Sequence, residues 1–185
     1  MREGNFVSKT KKLIGAERRN AILQWLQEEK QPLTGTDLAD RANVSRQVIV
    51  QDISLLKAKK HPIMATSQGY VYLEKNNENE RQQRLIACNH GPEQTQEELE
   101  CMVDQGVTVK DVIIEHPVYG DLKASIMVSN RREVKQFIEK IRVKNAPYLL
   151  ELTNGIHLHT IEADTKAQLE EAYQKLQQLG IIIEN

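Results

Sequence analysis

Apolar positions along the chain change period several times, and each change marks an element. From Glu17 to Lys30, Ile22, Trp25 and Leu26 fall at i, i+3 and i+4, the spacing of one buried helical face. After Pro32, the stretch "TGTDLADRA" predicts a second, short helix with Leu38, Ala39 and Ala42 inward. Thr34 is placed to cap it, with Asp37 three positions on, close to a capping box. Asn43 breaks that helix and Val44 plugs a very tight turn. Ser45 has the chemistry of an N-cap for a third helix, "SRQVIVQDISLLKAKK", whose seam is Ile49, Ile53 and Leu56. Two helices joined so tightly form a helix-turn-helix pattern. "IMATSQGYVYLE" then predicts two short strands about Ser67-Gln68-Gly69, the wing of a winged helix-turn-helix.

The second half alternates strand and helix periods. "RLIACNH" predicts a strand ending at His90, and "EELECMVDQG" a helix with Leu99, Met102 and Val103 inward. "VTVKDVIIEHP" and "LKASIMVS" predict strands about a turn at Tyr119-Gly120-Asp121. Ser129 is expected to cap a helix whose shared face is Val134, Phe137, Ile138 and Ile141. "YLLEL" and "IHLHTIE" flank Thr153-Asn154-Gly155, and Asn-Gly signals a hairpin between two strands. A last helix begins at Asp164 or Thr165, runs through Leu179 and is closed by Gly180, and "IIIE" predicts a final short strand. The fold class expected is α+β: an N-terminal winged helix-turn-helix followed by an α/β sandwich with a mostly antiparallel sheet. The boundaries read as a tail over 1–16, a winged helix-turn-helix over 17–74, a linker over 75–82 and a second domain over 83–185.

Composition narrows the class. No apolar run is long enough to span a bilayer, so no membrane partner is expected, and the first 16 residues lack the apolar core of a signal peptide. Two cysteines are too few for a disulfide framework, which points to a reduced, cytoplasmic setting. The net charge of -1 hides an asymmetry. Residues 1–75 carry 13 Lys and Arg against 8 Asp and Glu, and the remainder 12 against 18. A basic half joined to an acidic half fits a module facing double-stranded DNA and one that does not.

Candidate chemistry follows from these positions. Arg46, Gln47 and Gln51, early on the third helix, suit paired hydrogen bonds to base edges in the major groove. Arg18, Arg19, Lys57, Lys59 and Lys60 suit phosphates, and Lys9 to Lys12 offers a basic arm. In the second half, His157 and His159 alternate along a predicted strand and so share a face. His90 falls at a strand end, and Glu98, eight positions later on a helix that must fold back, can approach it; Glu97 is an equally accessible carboxylate. Three imidazoles and a carboxylate suit a divalent transition metal such as zinc, nickel, iron or manganese. Neither cysteine falls in a metal-type repeat.

The stretch from Arg18 to Glu74 resembles the helix-turn-helix half of the NiaR-type nicotinate-responsive repressors of NAD biosynthesis. The remainder resembles their effector half, the 3H domain, through "HGPEQTQEELE", "VIIEHPVYGDLKASI" and "GIHLHTIEA". The resemblance implies a metal site at His90, Glu98, His157 and His159, with nicotinate as co-repressor; His116 and Tyr119 are candidate effector contacts, His116 being open also to a role beside the metal ligands. It implies a repressor of NAD biosynthesis or niacin uptake genes, with the metal anchoring the nicotinate carboxylate. A homodimer is expected, since paired recognition helices read half-sites about one helical turn apart. Two rival readings are a metal-dependent hydrolase fused to a DNA-binding module, with Glu98 as base, and a repressor that senses the metal itself.

Overall fold

The structure, a computed structural model, describes residues 13–29, 31–73 and 81–183. The Lys9 to Lys12 arm and most of the expected linker lie outside the described residues. The described residues fold as two compact units, one made of residues 13–73 without 66–68 and the other of residues 66–68 and 81–183. Among the described residues no helix is long and apolar enough to cross a membrane.

The first unit contains helices α1 (Gly15–Glu28), α2 (Gly35–Ala42) and α3 (Arg46–Ala58), then strands β1 (Ile63–Ala65) and β2 (Tyr70–Tyr72). Ile22, Leu26, Leu38, Ala42, Ile49 and Ile53 close its core, as the helical periods require. Thr34 Oγ1 accepts the Asp37 amide at 3.1 Å, and the Asp37 carboxylate accepts the Thr34 amide at 2.9 Å, completing the capping box. Asn43 takes the left-handed conformation (φ 52°) that ends α2. Ser45 departs from expectation: it occupies the N-cap position of α3 but its side chain caps nothing. Its carbonyl instead accepts the Val48 and Ile49 amides. The wing pairs antiparallel, and Leu33 joins it through two backbone hydrogen bonds with Tyr70. Gly69 (φ 146°) permits that closure, since a Cβ there would sit 2.6 Å from the Leu33 carbonyl oxygen.

The second unit contains β3 (Gln82–Asn89), α4 (Thr95–Val103), β4 (Thr108–His116), β5 (Gly120–Val128), α5 (Arg131–Lys144), β6 (Ile156–Ala163) and α6 (Lys166–Gln178). Short 3₁₀ helices cover Pro92–Gln94 and Leu149–Thr153. The sheet order is β3-β6-β4-β5, and every neighbouring pair is antiparallel. Leu99 and Met102 of α4, Val134 of α5 and Leu176 of α6 pack with Ile86 and Ile161 of the sheet in one core. Leu85 and Ile156, on the opposite sheet face, are more than half exposed. The α+β architecture is the one the element periods predict.

Three local expectations are corrected. "YLLEL" is not a hairpin strand but lies in and around the 3₁₀ helix Leu149–Thr153. β6 already has β3 on one edge and β4 on the other, so an extended partner at 149–153 would have no edge to pair with. Asn130, not Ser129, caps α5: its side-chain oxygen accepts the Glu133 amide at 3.0 Å, and Ser129 instead donates to the Glu133 carboxylate. The final strand shrinks to a bridge between Ile182 and Cys88, with the Ile183 amide donating to the Ala87 carbonyl.

Candidate functional site

Alternation along β6 buries His157 and His159 on the core face and leaves Ile156 outside. β3 lies alongside in antiparallel register, with Cys88 opposite His157 and Ile86 opposite His159. His90 follows immediately at the end of β3 and is also buried. The turn over Pro92–Gln94 sends α4 back across the sheet, and Glu98, on its inward face with Leu99 and Met102, is fully buried. Glu97 points to solvent, so the choice between the two carboxylates falls on Glu98. Gly155 sets the entry to β6. With φ at 98°, its α-carbon comes so close to His90 that a Cβ would lie 2.6 Å from the His90 carbonyl oxygen.

The three imidazoles converge on one carboxylate. His90 Nε2 lies 2.9 Å from Glu98 Oε2, His159 Nε2 3.3 Å from the same oxygen, and His157 Nε2 3.2 Å from Oε1. Each ring's other nitrogen faces a backbone carbonyl: His90 Nδ1 that of Gly91 at 2.7 Å, His157 Nδ1 that of Gly155 at 2.8 Å, His159 Nδ1 that of Asp111 at 2.6 Å. A carbonyl only accepts, so each Nδ1 carries the proton. In the neutral tautomer every Nε2 is then a lone pair aimed at an anionic carboxylate. The His90 Nε2 contact is off hydrogen-bond alignment, and that buried atom has no other partner among the described residues. Acceptors facing an acceptor in a dry interior need a cation among them, either added protons or a metal ion.

The titration directions carry the same message. Burial opposes ionisation of Glu98 most strongly, yet the charge of His159 and the close approach of the three imidazoles together hold it well below the ordinary carboxylate range. Burial also opposes protonation of His90 and His159, and the facing Glu98 carboxylate outweighs it, raising both above 6.5. The backbone bonds fix the ring tautomers, as ligand histidines require. The donor set of three nitrogens and a carboxylate fits a divalent transition metal.

Cys88 belongs to this cluster and sequence reasoning passed over it. Its sulfur, a Glu98 oxygen and a His157 nitrogen lie within 4.8 Å of one another, all buried. Burial, then the neighbouring Glu98 charge, pushes the thiol far up, so it stands here as a protonated group beside the carboxylate. The available signal was the spacing Cys88-x-His90 on a strand, which puts both on one face.

A cavity of about 140 Å³ opens beside Glu98, His157 and His159, walled chiefly by apolar side chains from α4, the sheet, α5 and residues 147–150. His116 and Tyr119, the expected effector contacts, are not among its walls. They sit at the β4–β5 hairpin tip, where His116 Nδ1 accepts the amides of Val118 and Tyr119 at 3.2 and 3.3 Å, and Tyr119 is largely exposed. His116 thus ties a tight turn.

On the first unit, Arg46, Gln47 and Gln51 stand exposed on α3, and Lys57, Lys59 and Lys60 are exposed at its far end. Arg18 and Arg19, expected to face phosphates, also have an intramolecular partner. Both pair with the buried Asp52 carboxylate, at 2.5 and 3.2 Å, and thereby brace α1 against α3. A buried carboxylate in α3 needs cationic partners, and these two arginines are the nearest.

Residues 83–185 match the 3H domain family, and residues 18–71 match an HTH domain family. Over 175 residues the chain is 59% identical to "Transcription repressor NadR" of Bacillus subtilis (strain 168), spanning 94% of this chain and 97% of that protein. It is 40% identical over 173 residues to "Probable transcription repressor NiaR" of Thermotoga maritima, with the same coverage of 94% and 97%. A weaker similarity, 28% over 106 residues, covers 16% of an uncharacterized protein of Methanothermus fervidus.

Proposed function

Because this chain belongs to the 3H-domain family of NadR and NiaR transcription repressors, we propose that it is a DNA-binding repressor whose second unit holds a divalent transition metal and responds to nicotinate. The convergence of three Nε2 lone pairs on the buried Glu98 carboxylate carries this reading. His90, Glu98, His157 and His159 would hold the metal. Bound there, the ion supplies a Lewis-acidic anchor for a carboxylate. The chain's own residues do the rest. The backbone carbonyls of Gly91, Gly155 and Asp111 keep the imidazoles turned inward. The apolar walls of the neighbouring cavity exclude water from the bound acid and accept its ring.

On the DNA side, Arg46, Gln47 and Gln51 read base edges, while Lys57, Lys59 and Lys60 contact phosphates. Two copies act together on paired half-sites. Nicotinate acts as co-repressor by binding the DNA-competent state more tightly than the other, each tenfold preference being worth about 1.4 kcal/mol. The test is a fluorescence titration of metal-loaded protein against an operator selected from random duplexes. Nicotinate is expected to tighten binding at fixed metal, and nicotinamide, lacking the anion, is not. Equal effects of the two, or a response to metal alone, would remove the carboxylate-anchor reading.

A further inference from the structure

Thr95 opens α4 and lines the cavity that adjoins the histidine cluster. Its residue is 6% exposed, and its hydroxyl is fully buried with no hydrogen-bond partner among the described residues. Burying a hydroxyl without a partner is costly, and such a group at the edge of a cavity is a donor waiting for a ligand acceptor. The other walls are mostly apolar, Val112, Ile126, Phe137, Leu149 and Leu150 among them, and the remaining polar side chains are Tyr148, Glu98, His157 and His159.

Position on the helix gives the hydroxyl a defined reach. Thr95 and Glu98 are i and i+3 on α4, so they occupy one face about 5–6 Å apart at Cβ. An aromatic acid held by its carboxylate at the Glu98 end would extend its ring along this face toward Thr95. A pyridine nitrogen, one atom of the ring removed from the carboxylate-bearing carbon, is an acceptor at neutral pH. A benzene ring presents a C–H at the same place and satisfies nothing.

We infer that the Thr95 hydroxyl is the donor that recognises the ring nitrogen, so that the cavity selects a pyridine monocarboxylate over its benzene counterpart. This deepens the effector reading and rests on it. A site built to hydrogen-bond one ligand atom rejects the analogue that lacks it, because the buried protein group is then left unpaired.

The experiment is calorimetry on the metal-loaded full chain with nicotinate and benzoate as probes. Wild type is expected to favour nicotinate about tenfold, the order of one hydrogen bond to a buried group. Thr95→Ser keeps the hydroxyl and is expected to keep the preference. Thr95→Val, of similar shape, is expected to bind both acids within about twofold of each other. A second readout needs no variant: the ring signal of ¹⁵N-nicotinate should move upfield on binding wild type, as a hydrogen-bonded pyridine nitrogen does. A ring signal that does not move, or a Thr95→Val protein that still prefers nicotinate as wild type does, overturns the role of Thr95 alone. Wild type that binds neither acid overturns the effector reading and this inference with it.

Discussion

His159 holds two positions at once: its Nδ1–H is committed to the Asp111 carbonyl, and its Nε2 faces Glu98 inside the core. Replacing it by Ala is expected to release the metal, readable as metal content after gel filtration, and to abolish the nicotinate effect on DNA binding. A merely structural pair of imidazoles would instead leave stoichiometric metal and an intact response. The titration directions make a second forecast for the same cluster. Glu98 is held low, so its ionised form stabilises the fold at pH above 4.5, and that contribution is lost as pH falls. His90 and His159 are raised, so their protonated forms stabilise metal-free protein below 6.5, and this is lost as pH climbs through their raised values. Metal uptake displaces those protons. The difference in Tm between metal-loaded and metal-free protein should therefore widen from pH 6 to pH 8, and a gap that narrows would contradict the assignment.

At the scale of elements, the two kinds of DNA contact proposed for α3 and its C-terminal end separate by experiment. Arg46→Ala is expected to cost about 1–3 kcal/mol on the selected operator and to relax selectivity at one base position. Lys59→Ala should weaken all duplexes alike and reduce the salt slope by about one phosphate's worth. Equal losses on operator and random DNA for Arg46→Ala would reassign it to the backbone. The α1–α3 brace adds a stability forecast. Asp52→Ala strands two arginines against a buried site and is expected to destabilise the first unit by about 3 kcal/mol, seen as a lower denaturation midpoint. At the entry to β6, Gly155→Ala meets the His90 carbonyl with a left-handed backbone, a cost on the order of 2 kcal/mol, and should weaken metal retention because His90 must shift.

For the whole molecule, a nicotinate effect on DNA binding has to be reciprocal. If nicotinate tightens operator binding by a given factor, operator must tighten nicotinate binding by that same factor, within the roughly 5–150-fold span of ordinary coupling. Titrating nicotinate into metal-loaded protein with and without operator measures it directly. Unequal factors would mean that the acid changes assembly as well as conformation. The cores of the two units draw on separate sets of residues. His159→Ala is accordingly expected to leave the helical circular dichroism of the first unit and its affinity for random DNA unchanged.

Local rules were enough for much of this. The i, i+3, i+4 faces of α1 and α3, the Thr34–Asp37 box and the period-2 alternation of β6 each depend on neighbours in sequence, and all are as the sequence predicts. Alternation alone put His157 and His159 on one face. Other features depended on partners distant in the chain. Whether Leu149–Thr153 could be a strand turned on β6 being interior to the sheet, which its own residues do not encode. Glu98 prevailed over Glu97 because α4 packs with one face on the sheet. Arg18 and Arg19 went to Asp52, 34 and 33 residues away, because a buried carboxylate recruits cations wherever the fold brings them. Cys88 lies opposite His157 through the register of β3 on β6, and His116 lies at a hairpin tip where its ring nitrogen accepts two amides. Periodicity fixes which way a side chain faces, but what it faces is decided by tertiary packing.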